Sequence, residues 1–205
     1  TIKDPIFIVG CGHSGTTILK KILGNHSNLY NIKEESGILL RNYGYETDKE
    51  TRLKIYKLWS YLCTQKGKKR WIEKTPEHVH SIDTMFEDFP NAKVIIITRH
   101  CKAVSYSIKE RAGSFLEGVK RWMYENIAWY ENTNKDKCLT IKYEDFIKNT
   151  GEVCKTICKY IDEPYEDMSN TIHNTENIDF SLQLKKGELV NGEKHVNLRK
   201  WQINQ

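Results

Sequence analysis

The 205-residue chain has no run of about eighteen apolar residues, which excludes a transmembrane helix. Its opening stretch, residues 1–10, lacks the layout of a signal peptide and runs directly into a strand. The six cysteines (Cys11, Cys63, Cys101, Cys138, Cys154 and Cys158) include no CxxC pair and no close zinc-knuckle set. Reduced thiols in a cytoplasmic protein are therefore expected, with Cys154 and Cys158 sharing one helix face in the core. His78 and His80 form an HxH pair without an evident third ligand, so the sequence offers no metal site. No Lys/Arg-rich tail or RNP-like aromatic stripe is present, which argues against nucleic acid as a partner. No segment repeats at a period of roughly 20–50 residues, and no low-complexity linker divides the chain, so one domain over residues 1–205 is expected.

What is present is a soluble globular composition, 39% apolar and 29% charged, with a net charge of +5 and a pI near 8.7. That mild basic excess suits a polyanionic small molecule. Apolar runs bounded by turn residues predict short buried strands at 6–9, 29–32, 71–72, 94–98 and 138–142. Helical patterns lie between and after them at 16–23, 48–65, 81–89, 103–111, 115–131 and 151–161. Strands alternating with helices imply an α/β fold: three α/β/α layers with a central parallel sheet, like the P-loop nucleotide hydrolases.

The first strand leads into a glycine-rich turn, Gly10-Cys11-Gly12-His13-Ser14-Gly15-Thr16-Thr17, and then a helix. Glycines let the backbone curl with its N–H groups inward, and the helix start aims its positive end at the same point. The hydroxyls of Ser14, Thr16 and Thr17 add donors, which makes the loop an anion clamp. The Gly10-to-Gly15 spacing is that of a nucleotide triphosphatase loop, but Thr16 stands where the Walker lysine would be. The strand at 94–98 is followed by Arg99 rather than a magnesium-binding Asp, which disfavours kinase or ATPase chemistry. Arg99, at a strand's C-terminal end, can offer a forked pair of donors to a second phosphate, and Ser107 two helical turns on can add a hydroxyl.

His13-Ser14-Gly15-Thr16-Thr17-Ile18 resembles the 5'-phosphosulfate loop of sulfotransferases that use 3'-phosphoadenosine-5'-phosphosulfate (PAPS). Arg99 and Ser107, eight positions apart, match that family's 3'-phosphate motif. Lys74-Thr75-Pro76, Tyr143-Glu144-Asp145, and the Leu198-Arg199-Lys200-Trp201 segment are similar to further family elements, so the resemblance runs from residue 5 to residue 201. It is strongest toward the branch with tyrosylprotein sulfotransferases and bacterial relatives, whose pattern His26 and Glu34-Glu35-Ser36 also match.

The resemblance implies in-line transfer of a sulfuryl group from PAPS to a hydroxyl or amine, leaving adenosine 3',5'-bisphosphate and needing no metal. Gly12, His13, Ser14, Gly15, Thr16 and Thr17 would hold the phosphosulfate. Arg99, Ser107, Arg199 and Lys200 would hold the 3'-phosphate. Glu34, or Glu35 if the register slips by one, would be the general base, unless both merely cap a helix starting near Ser36. Lys74 would stabilise charge near the bridging oxygen. His13 departs from the Arg or Lys usual in the family, exchanging a permanent cation for an imidazole. A nucleotide kinase and a non-catalytic nucleotide-binding module are the alternative readings. The acceptor pocket is expected between residues 37–45, which include Tyr43 and Tyr45, the 48–65 helix and the tail after Thr171; the sequence does not specify the acceptor or the oligomeric state.

Overall fold

A computed structural model describes residues 2–40 and 47–168. Tyr43, Tyr45, the tail after Thr171, and with it Arg199 and Lys200, lie outside the described residues.

The order is β1 (Ile6–Val9), α1 (Thr16–Leu23), β2 (Leu29–Asn31), α2 (Lys49–Gln65), β3 (Arg70–Lys74) and α3 (Ile82–Asp88). It continues with β4 (Lys93–Thr98), α4 (Cys101–Ala112), α5 (Phe115–Tyr130), β5 (Leu139–Lys142), α6 (Tyr143–Lys148) and α7 (Thr150–Tyr160). The strands form one sheet in the order β2-β3-β1-β4-β5, every pairing parallel, with Ile6 opposite both Ile72 and Lys93 and Ile97 opposite Ile141.

Side chains alternate across each strand, so β1 sends Ile6 and Ile8 to one face and Phe7 and Val9 to the other. The first face, with Ile72, Ile95, Ile97 and Ile141, packs on α1, α6 and α7; Cys154 and Cys158 pack there as expected. The second, with Trp71, Val94 and Ile96, packs on α2 and α3 around Tyr56 and Trp59. All four β1 residues are wholly buried, which is why the strand reads as an unbroken apolar run. The layered α/β/α architecture is as expected.

Local chemistry sets the helix ends. Asp48 caps α2 by accepting from the Thr51 N–H at 2.9 Å, and Arg52 one turn on forks onto Asp88 at the end of α3. Gly113, at φ 80°, ends α4, and Ser114 caps α5 by accepting from the Glu117 N–H. The chain thereby doubles back, and Gly118 packs so closely on α4 that a Cβ there would lie 2.5 Å from the Ser105 Cα. Among the described residues no helix is long and apolar enough to cross a membrane.

Three elements differ from the sequence expectation. β3 extends through Glu73 and Lys74, both buried and paired, so their charge disguises strand as surface. Pro76–Ser81 forms a 3-10 turn before α3. Tyr143–Lys148 is helical but, at six residues, too short to show a period.

Candidate active site

The connection leaving β1 runs to one side of the sheet and that leaving β4 to the other, so a crevice opens between their C-terminal ends. The glycine loop sits there. Gly10, at φ 138°, lies so close to β4 that a Cβ would be 2.3 Å from the Ile97 carbonyl oxygen. Gly15, at φ 97°, would drive a Cβ to 2.4 Å from the Tyr143 ring. No side chain caps the start of α1, which leaves its first N–H groups to an anion.

A cavity of about 250 Å³ opens over the loop, lined by Gly12, His13, Gly15, Thr16 and Thr17 together with Glu35, Glu77, Arg111 and Arg121. The buried Ser14 hydroxyl and Arg99 Nε have no hydrogen-bond partner among the described residues. Orphaned donors beside an uncapped helix suit an anionic ligand.

Lys74 is 3% exposed at the end of β3; its ammonium donates to the Thr17 hydroxyl at 3.2 Å and ion-pairs with Glu35. The segment carrying Glu35 is tethered from below. Glu73, fully buried, accepts from the hydroxyls of Ser36 at 2.9 Å and Thr75 at 2.7 Å, and from His78 Nδ1 at 3.1 Å. His78 Nε2 accepts from the Leu39 N–H, which fixes the proton on Nδ1. Burial pushes the Glu73 carboxyl upward, but bonds from His78, Thr75 and Ser36 outweigh it and hold the group below the usual range. The HxH histidine is thus a structural strut. Residues 37–40 form a turn rather than a helix start. Glu34 is exposed and does not line the cavity; the structure brings Glu35, the second candidate, to the loop instead.

Arg99 and Ser107 converge with His13. Arg99 donates to the His13 carbonyl at 2.8 Å and stacks 4.3 Å from the Tyr143 ring centroid, while Ser107 Oγ lies 2.9 Å from His13 Nδ1. Burial pulls the His13 imidazole down to about 4, and repulsion from Arg111, Arg121 and Arg99 adds to it. The ring is neutral at pH 7, unlike the cation usual at this position. The unfolded chain binds a proton here below about pH 6.5 that the folded protein refuses until about pH 4, so stability falls as pH drops through that window. His13→Gln is expected to flatten part of that fall in denaturant titrations; a slope equal to wild type would contradict the assignment.

Sequence reasoning missed a group on the α4–α5 hairpin. Glu125, 3% exposed, accepts from the Gly12 N–H at 2.8 Å and from Arg121 Nε at 3.0 Å, and Arg121 Nη2 donates to Glu77 at 2.6 Å. Reading α5 for its apolar residues alone hid these charges. Arg111, on the same cavity, was missed too, although its place one helical turn beyond Ser107 was a signal for it. A larger hollow of about 820 Å³ between α5 and the β4–β5 edge is walled chiefly by Trp122, Met123, Ile127, Trp129 and Tyr130, and Arg99, His100 and Lys142 also line it.

The family model described as "Sulfotransferase family" matches residues 45–167, more than half of the chain. A protein-tyrosine sulfotransferase from Drosophila melanogaster is 24% identical over 83% of this chain, which spans only 40% of that protein's length. The sulfotransferase domain of the Synechococcus olefin synthase shares the fold at a TM-score of 0.66 and 16% identity, covering 100% of this chain and 95% of that one. A mouse sulfotransferase solved in complex with PAP does so at 0.56 and 17%, covering 90% and 67% respectively. The matched stretch holds Lys74, Arg99, Ser107 and the α4–α5 hairpin, all of which close on the glycine loop. The chain belongs to the sulfotransferase family.

Proposed function

We propose that this chain transfers a sulfuryl group from PAPS to a hydroxyl or amine acceptor, releasing adenosine 3',5'-bisphosphate. The observation that carries the reading is the pairing of Lys74 with both Glu35 and Thr17 at the mouth of an uncapped helix. A general base, a cation and an anion cradle thereby meet at one point.

The N–H groups of Thr16 and Thr17 and the hydroxyls of Ser14, Thr16 and Thr17 bind the phosphosulfate, and Arg99 with Ser107 binds the 3'-phosphate. Glu35 takes the acceptor's proton as the acceptor oxygen or nitrogen bonds to sulfur. The sulfur–oxygen bond to the 5'-phosphate breaks, and its electron pair leaves on the phosphate oxygen. Lys74 faces that developing charge. An anion at Thr17 gives Lys74 a second partner and frees Glu35 to meet the acceptor. A sulfuryl group carries less charge than a phosphoryl group, so fixed cations suffice where a kinase needs magnesium.

Adenosine 3',5'-bisphosphate is expected to raise the thermal midpoint strongly, and ATP with magnesium to leave it unchanged. Stabilisation by ATP–magnesium alone would instead support a nucleotide kinase and remove this reading.

A further inference from the structure

The glycine loop of this chain lacks a cation of its own. His13 stands at the position in question with its Nδ1 on the Ser107 hydroxyl and three guanidinium groups, from Arg99, Arg111 and Arg121, around it. A second side chain brings permanent charge to the same spot. Arg121 reaches down from α5 until its Nη2 would meet a Cβ built on Gly12 at 2.6 Å, so the guanidinium lies against the loop backbone.

Two carboxylates fix it there. Glu125, one helical turn further along α5, holds Nε, and Glu77, at the start of the 3-10 turn, holds Nη2. The same Glu125 takes the Gly12 N–H, which couples the arginine to the loop rather than merely to its neighbours. Even with Nε on Glu125 and Nη2 on Glu77, Arg121 lines the cavity, its side chain 37% exposed. A buried carboxylate such as Glu125 is costly unless paired, and its pairing here aims a cation at the anion cradle.

We propose that Arg121 supplies the loop's permanent cation, its guanidinium meeting the 5'-phosphate of the nucleotide, with Glu125 as the residue that positions it. The inference rests on the donor reading above and adds a contact from a helix remote in sequence. Glu77, a carboxylate on the same cavity, then holds Arg121 while the site is empty and yields to the nucleotide.

The test compares two ligands by calorimetric titration: adenosine 3',5'-bisphosphate and adenosine 3'-monophosphate, which lacks the 5'-phosphate. Because Arg121→Gln alone would strand the buried Glu125 charge, the double variant Arg121→Gln/Glu125→Gln is used, with both groups neutral and of similar shape. The double variant is expected to bind the bisphosphate roughly ten- to hundredfold more weakly and the monophosphate as wild type does, since a charge-assisted phosphate contact is worth that much. Adding His13→Arg is expected to recover bisphosphate affinity. Equal loss for both nucleotides, or loss for neither, would overturn the proposal. If the double variant does not fold, Arg121→Lys is measured the same way, with a smaller loss again confined to the bisphosphate. Wild-type protein that binds neither nucleotide would defeat the donor reading and this inference with it, an outcome distinct from a variant that binds both normally.

Discussion

Replacing Glu35 with Gln is expected to lower the rate of sulfuryl transfer by about two to four orders of magnitude, while Glu34→Gln leaves it unchanged. The asymmetry follows from the tether. Ser36 is pinned by Glu73, and the Leu39 N–H by His78, so the residue before Ser36 faces Lys74 while Glu34 stays in solvent. Amide for carboxylate preserves shape and removes the proton acceptor. The loss is therefore expected in kcat, with the affinity for adenosine 3',5'-bisphosphate nearly intact. The readout is bisphosphate release from PAPS across a panel of phenolic and alcoholic acceptors. Equal losses in the two variants, or a loss in Glu34→Gln alone, would return the base assignment to the other register.

Lys74→Met is expected to cost about two to three orders of magnitude in kcat, as removal of one preorganised charge donor does elsewhere. Its effect on stability is expected to be small. The lysine stem is buried in β3 and methionine replaces its volume, whereas Glu35, with half its side chain exposed, remains solvated without its partner. A protein that keeps its thermal midpoint but loses turnover separates a catalytic lysine from a structural one. Because Lys74 and Glu35 touch, the double variant is expected to lose less than the sum of the two single effects.

The parts of this site visible in the sequence are those that follow one another along the chain. The loop announces itself through glycines and hydroxyls between a strand and a helix, and Arg99 with Ser107 through a spacing set by two helical turns. β1 and β4 are legible because burial on both faces leaves them no polar residues to show until their ends. What stayed hidden depends on contacts between distant segments. Nothing periodic in the irregular stretch 33–39 says which of two adjacent glutamates turns inward; that is decided by Ser36 reaching Glu73 in β3. Glu73 and Lys74 read as surface because charge normally does, and only their partners make burial tolerable. Arg121 and Glu125 look like an ordinary helix ion pair four residues apart until α5 is folded back over Gly12. His13 was legible as a departure, but its downward shift was not, since the burial that causes it and the arginines that add to it come from segments distant in sequence.

A crystal structure with adenosine 3',5'-bisphosphate bound tests the account most directly. The 5'-phosphate is expected within hydrogen-bond distance of the Thr16 and Thr17 N–H groups and of Lys74, with the 3'-phosphate at Arg99 and Ser107. A nucleotide bound with neither phosphate on the glycine loop would contradict it.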